Sequence, residues 1–226
     1  MTGLGFGPQF YAVGVPNIIT LTDVFNYNSS ANDTTHNFTA CDYGAEAEDR
    51  YIVAAFTRGG LASHTVVSAT LNGVTANVVA TQGANLSGNG IVFAKVPTGT
   101  TGLTSSVTWS GAAAGTSVTI FRLVGGGTIT FDDSAMTTTN GATIQADVKQ
   151  GGVAIWSQGH RTGPSTTIVG FNAMVIDAIT NAPGLHSSGY YGSPYDLNFV
   201  DQINRSFSWA TGGDRYNAIV ATFKPS

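Results

Sequence analysis

Short runs rich in Thr, Val, Ile and aromatic residues recur along this chain, separated by Gly, Asn, Asp, Ser and Pro, with no helical periodicity between them. β-Branched and aromatic residues suit a pleated, half-buried surface, so the runs predict strands. In the first half, strands are expected near 35–41, 50–57, 65–71, 74–80, 90–96, 105–110 and 117–124. In the second half they are expected near 127–131, 142–148, 152–158, 165–171, 174–180, 187–192, 204–209 and 215–223. Asn72-Gly73 separates two apolar runs, and this dipeptide tolerates the positive φ values of a type I′ turn. A tight hairpin is therefore predicted there.

The pattern also repeats. Ser106-Val-Thr-Trp109-Ser110 resembles Ser206-Phe-Ser-Trp209-Ala210, with the tryptophans 100 residues apart. At the same offset Val53-Ala-Ala-Phe56-Thr57 falls on Val153-Ala-Ile-Trp156-Ser157, Gly59 on Gly159, and Leu71-Asn72 on Phe171-Asn172. Val118–Leu123 falls on Ala218–Phe223. Internal repetition at this length marks a duplicated unit. The prediction is an all-β chain of two tandem β-sandwich modules of jelly-roll or Ig-like type, residues 31–125 and 126–226, joined at Gly125-Gly126-Gly127. Three glycines permit a sharp reversal at the join. Residues 1–30 match neither copy and are expected to form an extended N-terminal arm.

The arm has a distinct character. Gly3, Gly5, Gly7 and Gly14 are interspersed with Leu4, Phe6, Phe10, Tyr11 and Val13, and Ile18 and Ile19 follow. A segment this apolar has to be covered. The seven apolar residues Leu4, Phe6, Phe10, Tyr11, Val13, Ile18 and Ile19 are therefore expected to form an interface with a neighbouring subunit, by adding a strand to an exposed sheet edge.

Composition narrows the function classes. Of 226 residues 42% are hydrophobic and only 10% are charged, well below the about 25% of an average soluble domain. A surface poor in Lys and Glu suits permanent assemblies and extracellular adhesins alike. The net charge of −4 and nine scattered basic residues argue against nucleic-acid binding, which needs clustered Lys and Arg. No apolar run approaches the ~18 residues that would span a bilayer, and Met1–Gly14 lacks a basic n-region and an uninterrupted apolar h-region.

Candidate chemistry is sparse. Cys41 is the only cysteine and reads as a small buried hydrophobe. His36, His64, His160 and His186 form no metal-binding spacing and read as ordinary loop or strand-end residues. Asp42, Glu46, Glu48 and Asp49 cluster before a strand, without the ordered carboxylate pattern of a calcium loop, and read as a solvated loop. No catalytic residue, metal ligand or cofactor is therefore assigned, and no enzymatic activity is expected. One stretch stands apart: Ser188–Asn198 carries Tyr190, Tyr191, Tyr195, Asp196 and Asn198 in a presumed loop. Rigid tyrosines beside adaptable polar groups could stack on and hydrogen-bond a sugar, or the loop could simply pack on the neighbouring module.

Arg50-Tyr-Ile-Val-Ala-Ala-Phe56, Ser68–Ala76, Ile91–Gly102 and Ser105–Gly111 together resemble β-sandwich modules of virion-associated proteins of tailed bacteriophages and prophages. The Val96-Pro-Thr-Gly-Thr-Thr-Gly102 turn before Val107-Thr-Trp-Ser110 is the most typical part. The likeness covers the first copy well and the second weakly, where the Pro-Thr-Gly turn is missing. It implies a location in the virion and a structural role of tail-fibre, head-fibre or capsid-decoration type. The partners it implies are other virion proteins and further copies of this chain in a homo-oligomer. A glycan-binding module for the host surface is the alternative, and a polysaccharide-degrading enzyme a distant third.

Overall fold

A computed structural model describes residues 17–58, 62–85, 87–125, 127–160, 165–169, 173–178, 185–191, 200–211 and 216–226. The described residues contain strands and turns but no helix. The first half comprises β1 (Thr20–Cys41), β2 (Tyr51–Arg58), β3 (Val66–Leu71), β4 (Val74–Ala84), β5 (Ser87–Lys95) and β6 (Leu103–Val124). The second comprises β7 (Ile129–Thr137), β8 (Thr143–Val148), β9 (Val153–His160), β10 (Ser165–Val169), β11 (Ala173–Ala178), β12 (Leu185–Tyr191), β13 (Gln202–Thr211) and β14 (Tyr216–Pro225). The all-β prediction holds, and most expected strands lie within a few residues of their observed limits. The Asn72-Gly73 hairpin is present: Asn72 has φ 50° and Gly73 φ 77°, with Leu71 paired to Val74.

The first half differs from the predicted pair of discrete sheets. Its strands run β1-β6-β2-β5-β4-β3, and a β6–β3 pairing closes the sheet on itself. The cause is β6, which fuses the segments expected at 105–110 and 117–124 into one 22-residue strand. One end of β6 pairs with β3, the other with β2, and β1 follows it along both. Register shifts in β1 between Ser29 and Asn32 and between Asp33 and Thr35, with Gly115 of β6 at φ 113°, let the two strands bend together.

In the second half the same path is cut in two. A five-stranded sheet has the order β11-β12-β9-β14-β7, and a three-stranded sheet the order β10-β13-β8. The pairing order nevertheless recurs. The chain-order set β2, β3, β4, β5 matches β9, β10, β11, β12, while β7 with β8 takes the place of β1, and β13 with β14 that of β6. Along the β9–β14 pairing the register departs by two residues from the uniform 100-residue offset. Val53 pairs with Phe121, and Val153 pairs with Phe223 rather than with Ala221. A shift of two residues preserves which face each side chain takes, so the apolar pattern survives it.

The predicted arm is also corrected. Residues 20–30 belong to β1, where Thr20 pairs with Val124 and Asn26 with Thr119. Ile19 is fully buried in this chain's own core and Ile18 is half-buried, so Ile19 is not free to contact a neighbour. The alternation of Phe25 and Tyr27 with Asn26 and Asn28 is the local sequence signal for this strand. Leu4, Phe6, Phe10, Tyr11 and Val13 lie outside the described residues.

Three apolar layers separate the sheets. One fills the closed first-half sheet with Phe38, Ile52, Phe56, Leu71, Val107 and Trp109 among others. Another fills the second half, with Ile144, Val148 and Phe207 facing Trp156, Ala218 and Val220. The third lies between the halves and draws on both: Tyr51, Val53, Phe93 and Phe121 against Val153, Ile155, Ile219 and Phe223. Strand alternation explains the division. On β2, Ile52, Ala54 and Phe56 point into the first layer, and Tyr51, Val53 and Ala55 into the shared one. This is why β2 is buried at every position.

Trp109 is 1% exposed and donates from Nε1 to Thr116 Oγ1 at 3.0 Å. Its predicted counterpart, Trp209, lies on β13 opposite Ile168. Trp109→Ala is expected to lower stability by about 3–5 kcal/mol through cavity formation, measured by urea unfolding.

Candidate functional site

The best-defined polar feature of the molecule sits at the seam between the halves. Thr57 of β2, Asn89 of β5, Ser157 of β9 and Asn217 of β14 are each fully buried. Thr57 Oγ1 donates to Asn89 Oδ1 at 2.7 Å and lies 3.0 Å from Ser157 Oγ. Asn89 Nδ2 donates to Asn217 Oδ1 at 2.6 Å and to the Asn217 carbonyl at 2.9 Å. Thr57 and Ser157 stand 100 residues apart, at the offset of the repeat expected from the sequence. Every member is uncharged and hydrogen-bonded to another, so its chemistry is that of a lock between sheets.

The acidic cluster is a structured loop. Arg50, fully buried, donates from Nε to the Val96 carbonyl at 2.6 Å. Its Nη1 donates to the carbonyls of Gly44 at 2.9 Å and Ala45 at 3.2 Å, and its Nη2 to those of Thr98 at 2.8 Å and Gly99 at 2.7 Å. The guanidinium fork thus binds the 43–45 loop to the Val96–Gly102 turn. Burial lowers its pKa, and the neighbouring Arg122 lowers it further. The carboxylates finish the loop: Asp42 Oδ1 accepts from Gly44 N at 2.7 Å, Glu46 accepts from Gly99 N, and Asp49 Oδ2 accepts from Gly125 N at 2.8 Å. Glu48 and Asp49 also line a shallow polar depression of about 390 Å³ with Lys95, Gly127 and Thr128. Among the described residues no three His, Cys, Asp or Glu side chains are grouped to hold a metal ion.

The remaining candidates fall in different places. Cys41 is buried, its Sγ 3.4 Å from the Phe38 carbonyl, and burial raises its thiol pKa. His64 is half-buried and 3.5 Å from Ser110 Oγ. His36 is not a loop residue: it stands within β1, 1% exposed, opposite Val107. Its Nδ1 lies 3.0 Å from Ser29 Oγ and its Nε2 donates to the Asp33 carbonyl at 3.0 Å. Tyr190 and Tyr191 lie on β12, in the strand expected near 187–192 rather than in the presumed loop, opposite Ile155 and Ala154 of β9. Tyr195, Asp196 and Asn198 lie outside the described residues, as do the side chains of Tyr190 and Tyr191. His160 ends β9, in backbone register with Leu185 and Tyr216, and His186 lies on β12 opposite Gly159 and Asp177.

A surface feature that sequence reasoning missed is the row of exposed polar residues on β1. Among the described residues β1 pairs with β6 alone, whereas β2, β3, β4, β5 and β6 each have neighbours on both sides. Asn26, Asn28, Ser30 and Asn32 are exposed along it. The signal was present in the alternation of Phe25, Tyr27 and Ser29 with Asn26, Asn28 and Ser30.

These observations define an all-β protein of stacked sheets with a buried polar seam between its halves. No protein-family model matches the chain, and no curated protein matches it. Among the described residues no helix is long and apolar enough to cross a membrane.

Two expectations follow. Asn89→Ala and Asn217→Ala should each cost about 1–3 kcal/mol, because each strands buried partners. Their double-mutant cycle in urea should return a coupling of about 0.5–3 kcal/mol. Desolvation lowers the His36 pKa below 6.5 in the fold, so the unfolded chain takes up its proton first. The His36 contribution is therefore complete above pH ~6.5 and is lost as pH falls from there toward the lowered folded value. The melting temperature should drop on acidification through this window, and the drop should be smaller in His36→Gln.

Proposed function

We propose that the chain is a structural component of a tailed-phage virion, built from two tandem β-sandwich modules and acting through subunit interfaces. The observation that carries the reading is the shared apolar layer. It joins the halves into one stack of sheets, with Phe93 and Phe223 rings 5.2 Å apart and the Thr57–Asn89–Ser157–Asn217 cluster at its margin. A body so joined is suited to bearing load and presenting fixed surfaces. The recurrence of strand pairing between the halves supports duplication of one module.

The chemistry of the surface points the same way. With 10% charged residues, the exterior presents amides and hydroxyls, which lose less side-chain entropy on packing than Lys or Glu. The motifs from Arg50 to Gly111 that resemble phage virion modules are those that build the closed sheet. The Val96–Gly102 turn is held by Arg50, so the most typical part of the resemblance has a structural job here.

The test is direct. Antibodies raised against the purified chain should label intact particles released from the host that carries the gene, and mass spectrometry of gradient-purified particles should give a fixed copy number. Recovery only in the soluble lysate, with particles unlabelled, would overturn the proposal.

A further inference from the structure

We infer that His36 is an acid-sensitive clip on the bend of β1, and that the bend opens locally when this imidazole takes up a proton. The bend is where β1 leaves regular pairing: its register on β6 shifts between Ser29 and Asn32 and again between Asp33 and Thr35. A bulge takes residues out of the ladder, so its shape has to be fixed by other contacts. His36 supplies them. Its Nε2 donates to the Asp33 carbonyl at 3.0 Å, and its Nδ1, 3.0 Å from Ser29 Oγ, accepts from that hydroxyl. The two bonds reach back across both register shifts, while residues 30–34 are exposed.

The site is poorly suited to a charged ring. His36 is 1% exposed, and both of its bonds are to neutral groups. Ser29, Thr116 and Arg58 are paired in one row across β1, β6 and β2. Residues paired across strands share a face, so the buried Arg58 points toward the same end of the closed sheet's interior. Burial brings the Arg58 pKa down to about 10, which leaves it a cation at neutral pH. Asp33 is exposed on the bend, where its Oδ1 accepts from Thr34 N at 2.6 Å. Other titratable groups stand apart: His64 lies against Gly111 and Ser110, and Tyr27 turns its hydroxyl to Asp42 N. Burial holds the His36 pKa below 6.5, Asp33 and the Ala113 backbone offset this only in part, and Arg58 adds to it. Opening the bend returns the ring to water and to its ordinary pKa, so the open form takes up the proton first. The closed bend is therefore fully stable above pH ~6.5 and is weakened as pH falls toward the lowered folded value. Residues 30–34 give up little apolar burial on opening, whereas β2 and β5 fill the core, so the bend opens before they do.

The experiment is hydrogen exchange read by mass spectrometry on the full chain at about pH 7.5 and about pH 5.5, either side of the ordinary histidine value. Labelling times are scaled to the intrinsic exchange rate at each pH. Peptides covering residues 29–36 should lose protection by more than about threefold at the lower pH, where linkage allows up to about tenfold. Peptides from β2 and β5 should keep theirs. His36→Gln, which cannot take up the proton, should abolish the response, and His64→Gln should leave it intact. The inference is overturned by a smaller change in the unaltered chain or by an equal loss in β2 and β5. It is overturned equally by a response that survives His36→Gln or vanishes in His64→Gln. Should His36→Gln fail to fold, the imidazoles of the unaltered chain are titrated by NMR instead. The His36 ring should then titrate in the same window in which the bend loses protection, and a ring that titrates outside it sinks the idea.

Discussion

The structure depends on burying both faces of its central strands. β2 contributes Ile52, Ala54 and Phe56 to one apolar layer and Tyr51, Val53 and Ala55 to another, and β9 and β14 do the same in the second half. An antiparallel sheet usually keeps one face in water. Here neither half can do so, because removing its partner would expose Val53, Phe93, Phe121 and their neighbours as a continuous apolar face. The hydrophobic effect that forms each half therefore also joins them. Aromatic contacts reinforce the join: Phe223 packs against Phe93 at 5.2 Å and Phe131 at 6.4 Å.

Apolar layers resist separation but tolerate sliding, since dispersion has little directional preference. The polar cluster at the seam supplies direction. Asn89 offers two donors and one acceptor site, and its contacts with Thr57, Ser157 and Asn217 use them with defined geometry. A one-residue slip would leave these groups buried and unpaired, a cost of about 1–3 kcal/mol for each. Arg50 plays a similar part at one end of the first half, where a single guanidinium gathers carbonyls from two separate loops. The charges that this chain does possess are thus partly spent inside, and its exterior is left to amides and hydroxyls.

The closed sheet and the buried seam are two answers to one problem. Strands and buried polar groups alike must find neighbours. The first half closes its sheet through the β6–β3 pairing, and the seam joins Thr57, Asn89, Ser157 and Asn217 across the halves.

Much of this was legible in the sequence, because strand formation and burial are local in their requirements. Val, Ile, Thr and aromatic runs fixed the position of nearly every strand, and Asn72-Gly73 fixed a hairpin. Other features were not legible. Whether 105–110 and 117–124 were two strands or one depended on a bulge at Gly115 that only the partner strand β1 could stabilise. Thr20–Ser30 read as an arm because its amides and hydroxyls are as suited to a linker as to an edge strand, and pairing with β6 decided between them. Asp42–Asp49 is the loop that the sequence suggested, with Glu46 and Glu48 exposed, but nothing local reveals that Arg50 would turn inward to collect its carbonyls. Thr57, Asn89, Ser157 and Asn217 lie up to 128 residues apart for a single hydrogen bond, and no local pattern marks them as neighbours. The sequence by itself determined which segments become strands, since that follows from side-chain shape and alternation. Tertiary structure alone decided which polar groups meet, since buried hydrogen bonds are set by the packing of distant elements.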